Sequence, residues 1–209
     1  MKKITPILLP ALGLHISMIL CGCGGGMSTP PAVISVSFSG SASQTIAQGQ
    51  SLTITAIVSN DSSGKGVTWK LSGPGALSRK TLLSVEYDAP ASVASNATAT
   101  VTATAFADPT KSATYTVNVA AITVSVSPVS ANVAVNATQD FTATVQYDPS
   151  NAGVLWSLMQ DGAPCSPGCG TVAPTSTASD GVTTYTPPAT EPANATVTLT
   201  ATSVTDPTK

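Results

Sequence analysis

Few side chains in this chain could do chemistry, and the most suggestive are two cysteines. Cys165 and Cys169 enclose Ser166-Pro167-Gly168. A Pro-Gly turn can fold so short a span back until the two Cα atoms lie within the ~4.4–6.8 Å that a disulfide needs. A redox pair favours two intervening residues, and a zinc site would need two further ligands. Such ligands are scarce: the single histidine, His15, lies in an apolar amino-terminal run, and Cys21 and Cys23 stand at its end. With no histidine elsewhere, a serine nucleophile would need another base, and no Gly-x-Ser-x-Gly elbow occurs. Glu86, Asp88, Asp180 and Glu191 could in principle supply a glycosidase pair. Glu86 and Asp88, however, flank Tyr87 on a predicted strand, which turns both toward one solvated face. Solubilising charge is the better reading. Calcium is the ion this chain could most readily take, because Asn60-Asp61, Asp88, Asp108, Asp148 to Asn151 and Asp206 fall at predicted loops. Asp before Pro or Ser is also ordinary turn chemistry, so no metal site and no cofactor are assigned. Formal net charge is −2 without a basic cluster, which excludes nucleic acid as a partner.

What positions these residues begins with an address. Met1-Lys2-Lys3 is basic, and residues 4–20 are apolar but broken by Pro6 and Pro10, too short and too interrupted for the ~20 residues that span a bilayer. That is the pattern of an export signal. Leu20-Cys21-Gly22-Cys23 resembles the bacterial lipobox, with Leu20 three residues before Cys23 and the small Gly22 immediately before it. Cys21 does not fit, because Leu20 would then occupy the position reserved for a small side chain. The resemblance implies that residues 1–22 are removed and that Cys23 carries a diacylglyceryl thioether and an amide-linked acyl chain, enough for stable membrane anchoring. Residues 23–31 follow as a flexible tether, Cys-Gly-Gly-Gly-Met-Ser-Thr-Pro-Pro. Gly24 in place of Asp implies the outer membrane or cell surface by the sorting rule such lipoproteins follow. Export to an oxidising compartment makes a Cys165–Cys169 disulfide the expected state.

Beyond the tether the chain repeats. Gly66-Val67-Thr68-Trp69-Lys70-Leu71 recurs as Gly153-Val154-Leu155-Trp156-Ser157-Leu158, and Asn96-Ala97-Thr98-Ala99-Thr100-Val101-Thr102-Ala103-Thr104 as Asn194-Ala195-Thr196-Val197-Thr198-Leu199-Thr200-Ala201-Thr202. The tryptophans are 87 positions apart and the asparagines 98, so an eleven-residue insertion lies between Trp156 and Tyr185, around the two cysteines. Each copy alternates apolar and Thr or Ser side chains with period two, as in Leu52-Thr53-Ile54-Thr55-Ala56 and Phe141-Thr142-Ala143-Thr144-Val145. Strands are predicted near 33–38, 44–47, 51–59, 66–71, 82–88, 97–106 and 112–119, separated by Gly, Pro, Asn and Asp turns. Only 9% of residues are charged, far below the ~25% usual for soluble chains, which excludes polyelectrolyte disorder. Seven strands in about 90 residues is a sandwich count. Trp69 and Trp156 are expected as core residues between the sheets, and Tyr87 and Tyr185, just before a turn, as corner residues with a tethered hydroxyl.

The ordered run Gly-Val-x-Trp, Tyr-x-x-Pro, Asn-Ala-Thr-x-Thr-x-Thr-Ala-Thr and Asp-Pro-Thr-Lys, present twice, resembles the bacterial immunoglobulin-like repeats of the group 2 type. That resemblance implies an all-β fold of two tandem immunoglobulin-like β-sandwiches, residues 32–120 and 121–209, after the lipoprotein signal peptide. The second is expected without its last strand, because nothing matches Ser112 to Val119 of the first. It further implies a non-catalytic role in adhesion, spacing or display, with a membrane partner through the lipid and a protein or glycan ligand. A carbohydrate-binding module, and a stalk bearing a functional domain beyond residue 209, are the alternative expectations. With neither Gly nor Pro in Val119-Ala120-Ala121-Ile122, the join between copies should bend little.

Overall fold

Alternation of Val, Ile, Leu and Ala with Thr and Ser gives each segment one face for a core and one for water, and the chain uses it throughout. The computed structural model describes residues 32–191 and 194–209, and the signal peptide, Cys23 and the tether lie outside the described residues. All regular structure described is β. The first sandwich runs β1 (Ser35–Phe38), β2 (Ser43–Ala47), β3 (Ser51–Ser59), β4 (Val67–Ser72), β5 (Ala76–Ser78), β6 (Ser84–Asp88), β7 (Ala97–Ala105) and β8 (Ser112–Ala120). One sheet has the order β1-β3-β6-β5, the other β2-β8-β7-β4. This is an immunoglobulin-like arrangement in which the first strand is divided between the two sheets. The division falls at Gly40, whose φ of +82° suits the abrupt turn from β1 to β2. Neighbours are antiparallel except β2 and β8, which run parallel from Ser43↔Thr116 to Ala47↔Ala120.

Between the sheets Ile54, Val85, Tyr87, Ala99, Val101, Tyr115, Val117 and Val119 form the buried core. β7 contributes the small buried residues Ala99, Ala103 and Ala105, and the bulk comes from the rings of Tyr87 on the facing sheet and Tyr115 on the adjacent strand. Phe38 packs edge-on against Tyr115 at 5.2 Å. Trp69, expected in the core, is only half-buried: it packs at the margin against Phe38, 6.4 Å between ring centres, and its Nε1 donates to the Thr81 carbonyl at 3.1 Å.

The second sandwich comprises β9 (Thr123–Ser127), β10 (Gln139–Gln146), β11 (Val154–Gln160), β12 (Ala163–Pro164), β13 (Thr171–Ala173), β14 (Ser176–Thr177), β15 (Val182–Thr186) and β16 (Thr198–Ser203). One sheet is β13-β15-β10-β9; in the other β11 pairs with β12, β14 and β16. Ala143, Val154, Trp156, Leu158, Cys169 and Val172 are buried between them. Trp156 is 5% exposed, deeper than its counterpart, with Nε1 donating to Thr177 Oγ1 at 2.9 Å. Among the described residues no strand answers β8, as expected, and none answers β2, which was not foreseen: residues 130–134 have no β8 counterpart to pair with.

The eleven extra residues do not form one loop. Most extend the turn between β11 and β13, where they make the short hairpin with β12 and the cysteine turn; the others lengthen the turn between β14 and β15. β14, which pairs with Val154 and Leu155, is not part of the insertion: Thr177 stands over Gly153 as Leu82 stands over Gly66.

Candidate functional site: the joint and the turns that frame it

Where the chain passes from β8 to β9 only Ala121 and Ile122 intervene, and Val119, Ala120, Ala121 and Ile122 are all buried. Burying a connection obliges its amides to find partners. Ala121 N–H donates to Asn96 Oδ1 at 2.9 Å and Ile122 N–H to Gln48 Oε1 at 3.2 Å. Gln48, 1% exposed, stands at the centre: its Nε2 donates to the Ala91 carbonyl at 3.1 Å and to Asp206 Oδ2 at 2.7 Å. Ser92 Oγ donates to the same Oδ2 at 2.8 Å. Asp206 Oδ1 faces its own turn and accepts from Thr208 Oγ1 at 2.7 Å and Thr208 N–H at 3.2 Å. Lys209 Nζ adds a bond to the Ala94 carbonyl.

The turn after β16 therefore docks on two loops of the first sandwich, those after β2 and β6. At 3% exposed, Asp206 would be costly to bury as an anion without donors. Four hydrogen bonds supply them. They hold its carboxyl well below the usual carboxylate range, the Gln48 amide contributing most and the Thr208 hydroxyl next. The arrangement resists bending and sliding between the sandwiches and offers no reacting group. Beside it, a shallow groove of about 650 Å³ is lined by Ala94, Asn96, Ile122, Val124, Ala201 and Lys209.

A second shared device secures the turns that close each core. Tyr87, fully buried, donates its hydroxyl to the Pro74 carbonyl at 2.8 Å, and Tyr185 donates to the Cys169 carbonyl at 2.7 Å. Burial pushes both phenols up. Glycine is required above each ring: Gly75 and Gly170 have φ of +98° and +105°, and a Cβ on either would lie within 3.0 Å of the tyrosine ring or hydroxyl. In the second sandwich the turn is also cross-linked, Cys165 to Cys169, with Cα atoms 5.4 Å apart. Cys169 is buried, so the disulfide lies at the edge of the core and holds the carbonyl that Tyr185 uses.

The remaining candidates are dispersed. Glu86 is bound by Arg79 Nη1 at 2.8 Å and Asp88 by Ser51 Oγ at 2.6 Å, whereas Asp180, on the other sandwich, accepts from Thr144 Oγ1 and Glu191 is exposed. Asp61, Asp108 and Asp148 each accept the backbone N–H and hydroxyl of the residue two further on, the same local turn that Asp206 makes. Among the described residues no three His, Cys, Asp or Glu side chains converge on a point. Sequence reasoning missed Gln48 and Ser92 altogether, took Asn96 only as the start of a repeated strand, and took Asp206 for one turn residue among several. Asp108 and Asp206 occupy the same Asp-Pro-Thr-Lys motif, so only the neighbouring sandwich distinguishes them.

No protein-family model and no curated protein matches the chain. Among solved structures it is similar to a chimeric titin Z1Z2 functionalized with a KLER exogenous peptide from decorin. Identity there is 16% over 83% of this chain and 92% of that one, with a TM-score of 0.33. A second similar structure is the titin domains Z1Z2 in complex with telethonin, 14% identical over 72% of this chain and 80% of that one, with a TM-score of 0.28. The fold assignment rests on the strand order and register described above.

Proposed function

We propose that this chain is a lipid-anchored module of the bacterial outer membrane or cell surface, a stiff spacer whose job is reach and display rather than turnover. The buried joint supports that reading most directly: a spacer must transmit orientation from one domain to the next, and a two-residue connection locked by Gln48, Ser92 and Asp206 does so. Cys23 would supply the anchor and residues 24–31 the clearance from the lipid surface.

Spin labels at Ser62→Cys and Thr175→Cys, both exposed positions on different sandwiches, test the stiffness. A narrow distance distribution that broadens in Asp206→Ala supports the spacer; an equally broad distribution in both overturns it. Anchoring is tested separately by fractionation, in which Cys23→Ser should move the protein from the membrane to the soluble fraction. Membrane retention of that variant would reject Cys23 as the lipid site.

A further inference from the structure

The same end of the sandwich occurs twice in this chain, in two settings. In the second copy the close of β16 and the start of β11 are turned toward the joint, where Asp206 docks. In the first copy the corresponding end, at the close of β7 and the start of β4, lies at the pole opposite the joint, since β7 runs away from Asn96 to reach it. The correspondence is exact in backbone terms. Phe106 N–H bonds the Gly66 carbonyl at 2.9 Å as Val204 N–H bonds that of Gly153 at 3.0 Å, and a Cβ on Gly66 would strike the Leu82 carbonyl as one on Gly153 would strike that of Thr177. Phe106 therefore answers Val204, Leu82 answers Thr177, and Leu83 answers Ala178. At all three positions the outlying pole carries the larger apolar side chain, yet Leu82 is 61% and Phe106 54% exposed. With Val33, Ile57 and Leu83 they are all the large apolar side chains that the first sandwich exposes among its described residues, and all belong to this end. Charge differs in the same place. Lys65, with Nζ 5.2 Å from the centre of the Phe106 ring, and Lys80 are exposed where the second copy has Ala152 and Thr175, whereas the acids Asp61 and Asp108 recur there as Asp148 and Asp206. Residues 32–120 hold five basic and four acidic side chains, residues 121–209 one and six.

We propose that this pole of the first sandwich is a membrane-contacting surface, and that its partner is the anionic headgroup layer of the bilayer that holds Cys23. The proposal rests on the anchoring reading above. On that reading only residues 24–31 separate the lipid from the first sandwich, and eight flexible residues have a root-mean-square reach of about 15 Å. The chain enters the sandwich at this pole, through Val33 and β1, so this is the surface kept beside the lipid. The tether has one large apolar side chain, Met27, too little to cover the pole itself. Large apolar side chains settle among the headgroups while lysine stems follow them and the ammonium groups stay at the phosphates. Where this end meets protein, in the second copy, it carries Thr177, Ala178 and Val204 instead, so the enlargement follows the setting and not the fold. The same surface repels the acidic second sandwich, which favours an upright molecule over one lying flat. The tether's clearance lets the domain turn until the pole meets the headgroups. Such a contact is reversible and salt-sensitive, so it supplements the acyl chains and does not replace them, and Cys23→Ser still leaves the membrane fraction on washing.

The test uses residues 23–209 with Cys23→Ser, so that no acyl chain contributes, and an environment-sensitive fluorophore on Ser62→Cys, in an exposed loop of this pole, or on Thr175→Cys, on the second sandwich. Titration with vesicles of phosphatidylethanolamine and phosphatidylglycerol should shift the Ser62 probe to the blue, saturably, and leave the Thr175 probe unchanged. Leu82→Ser with Leu83→Ser and Phe106→Ser should weaken partition by about 10-fold or more, because the apolar burial is lost. Lys65→Gln with Lys80→Gln should also weaken it by about 10-fold at low salt, and raised salt should weaken the parent chain likewise. Circular dichroism and the urea midpoint report whether each variant is folded, and the exposed lysine pair keeps the test open if the serine variant is not. No shift at Ser62 with these vesicles, an equal shift at Thr175, or undiminished partition of folded variants would each overturn the proposal. A Ser62 shift that appears without lipid as protein concentration rises would make a second copy of the chain the partner and overturn it too. Because the tested chain is unacylated, its failure leaves the fractionation result for Cys23 standing, and vesicle binding that persists where Cys23 proves not to be the lipid site would reject the anchor alone.

Discussion

Replacing Asp206 and Gln48 singly and together would measure what holds the two sandwiches at a fixed angle. Asp206 Oδ2 receives the Gln48 amide at 2.7 Å in a buried setting, and hydrogen bonds to charged groups contribute about 1.5–3 kcal/mol. Asp206→Ala also removes the bonds to Ser92 and Thr208, and Gln48→Ala those to Ile122, Val93 and Ala91. Neither single variant therefore isolates the contact. The double-mutant cycle does, and should return an interaction energy of about 2 kcal/mol, roughly 30-fold in the unfolding equilibrium. Urea unfolding is a suitable assay, because each sandwich carries one tryptophan, Trp69 or Trp156, to report on it. Repeating the cycle against pH adds a signed check. The carboxyl of Asp206 is held below its unfolded value near 3.9, so the coupling is fully present above about pH 4 and is lost as pH falls through the lower native value. It should be flat from about pH 5 to 8 and decline progressively as pH falls below about 4. An interaction energy below about 0.5 kcal/mol at neutral pH would refute the claim that this contact sets the joint.

The two tryptophans should differ in worth. Trp156→Ala is expected to cost about 3–5 kcal/mol by chemical denaturation, and Trp69→Ala less because it is only partly buried; the reverse order would show that the second core is misassigned. Reduction of Cys165–Cys169, or Cys165→Ala with Cys169→Ala, should cost at most about 2 kcal/mol, as expected for so short a closed loop, and leave the second sandwich folded by circular dichroism. Gly170→Ala places a Cβ 2.8 Å from the Tyr185 ring at a φ of +105°, so it should destabilise the second sandwich by more than about 1 kcal/mol in the same assay, and Gly75→Ala should do likewise in the first.

Strand positions were legible because period-two alternation is local. Leu52-Thr53-Ile54-Thr55-Ala56 announces both a strand and its buried face, and β3, β7 and β8 fall within a residue of where that pattern places them. Elements of two or three residues are too short to show a period, so β5, β12, β13 and β14 were not foreseen. Their existence depends on the strands beside them: β14 is a strand because Val154 and Leu155 pair with it. Trp69 packs against the core but is less deeply covered than the motif suggests, for a related reason. A tryptophan in Gly-Val-x-Trp reads as a core plug in either copy, but whether the ring is covered depends on the connection packed over it. At Trp156 that connection is β14, whose Thr177 hydroxyl takes the indole N–H; at Trp69 it is the matching stretch at Thr81 and Leu82, which offers the Thr81 carbonyl. The joint was half legible. Val119-Ala120-Ala121-Ile122 without Gly or Pro predicts a stiff connection, yet nothing local marks Gln48 and Asp206, 158 positions apart, as partners.

The parallel pairing of β2 with β8 bears on how the molecule would carry load. A pull applied between the amino-terminal end of the first sandwich and the chain leaving it at Ala120 would drag those two strands past each other lengthwise. All five paired positions from Ser43↔Thr116 to Ala47↔Ala120 would then be strained together rather than peeled open one at a time. The second sandwich has no such lengthwise clamp among its described residues, because 130–134 is not in a ladder. Under tension along that line the first sandwich should hold until the whole ladder gives way at once.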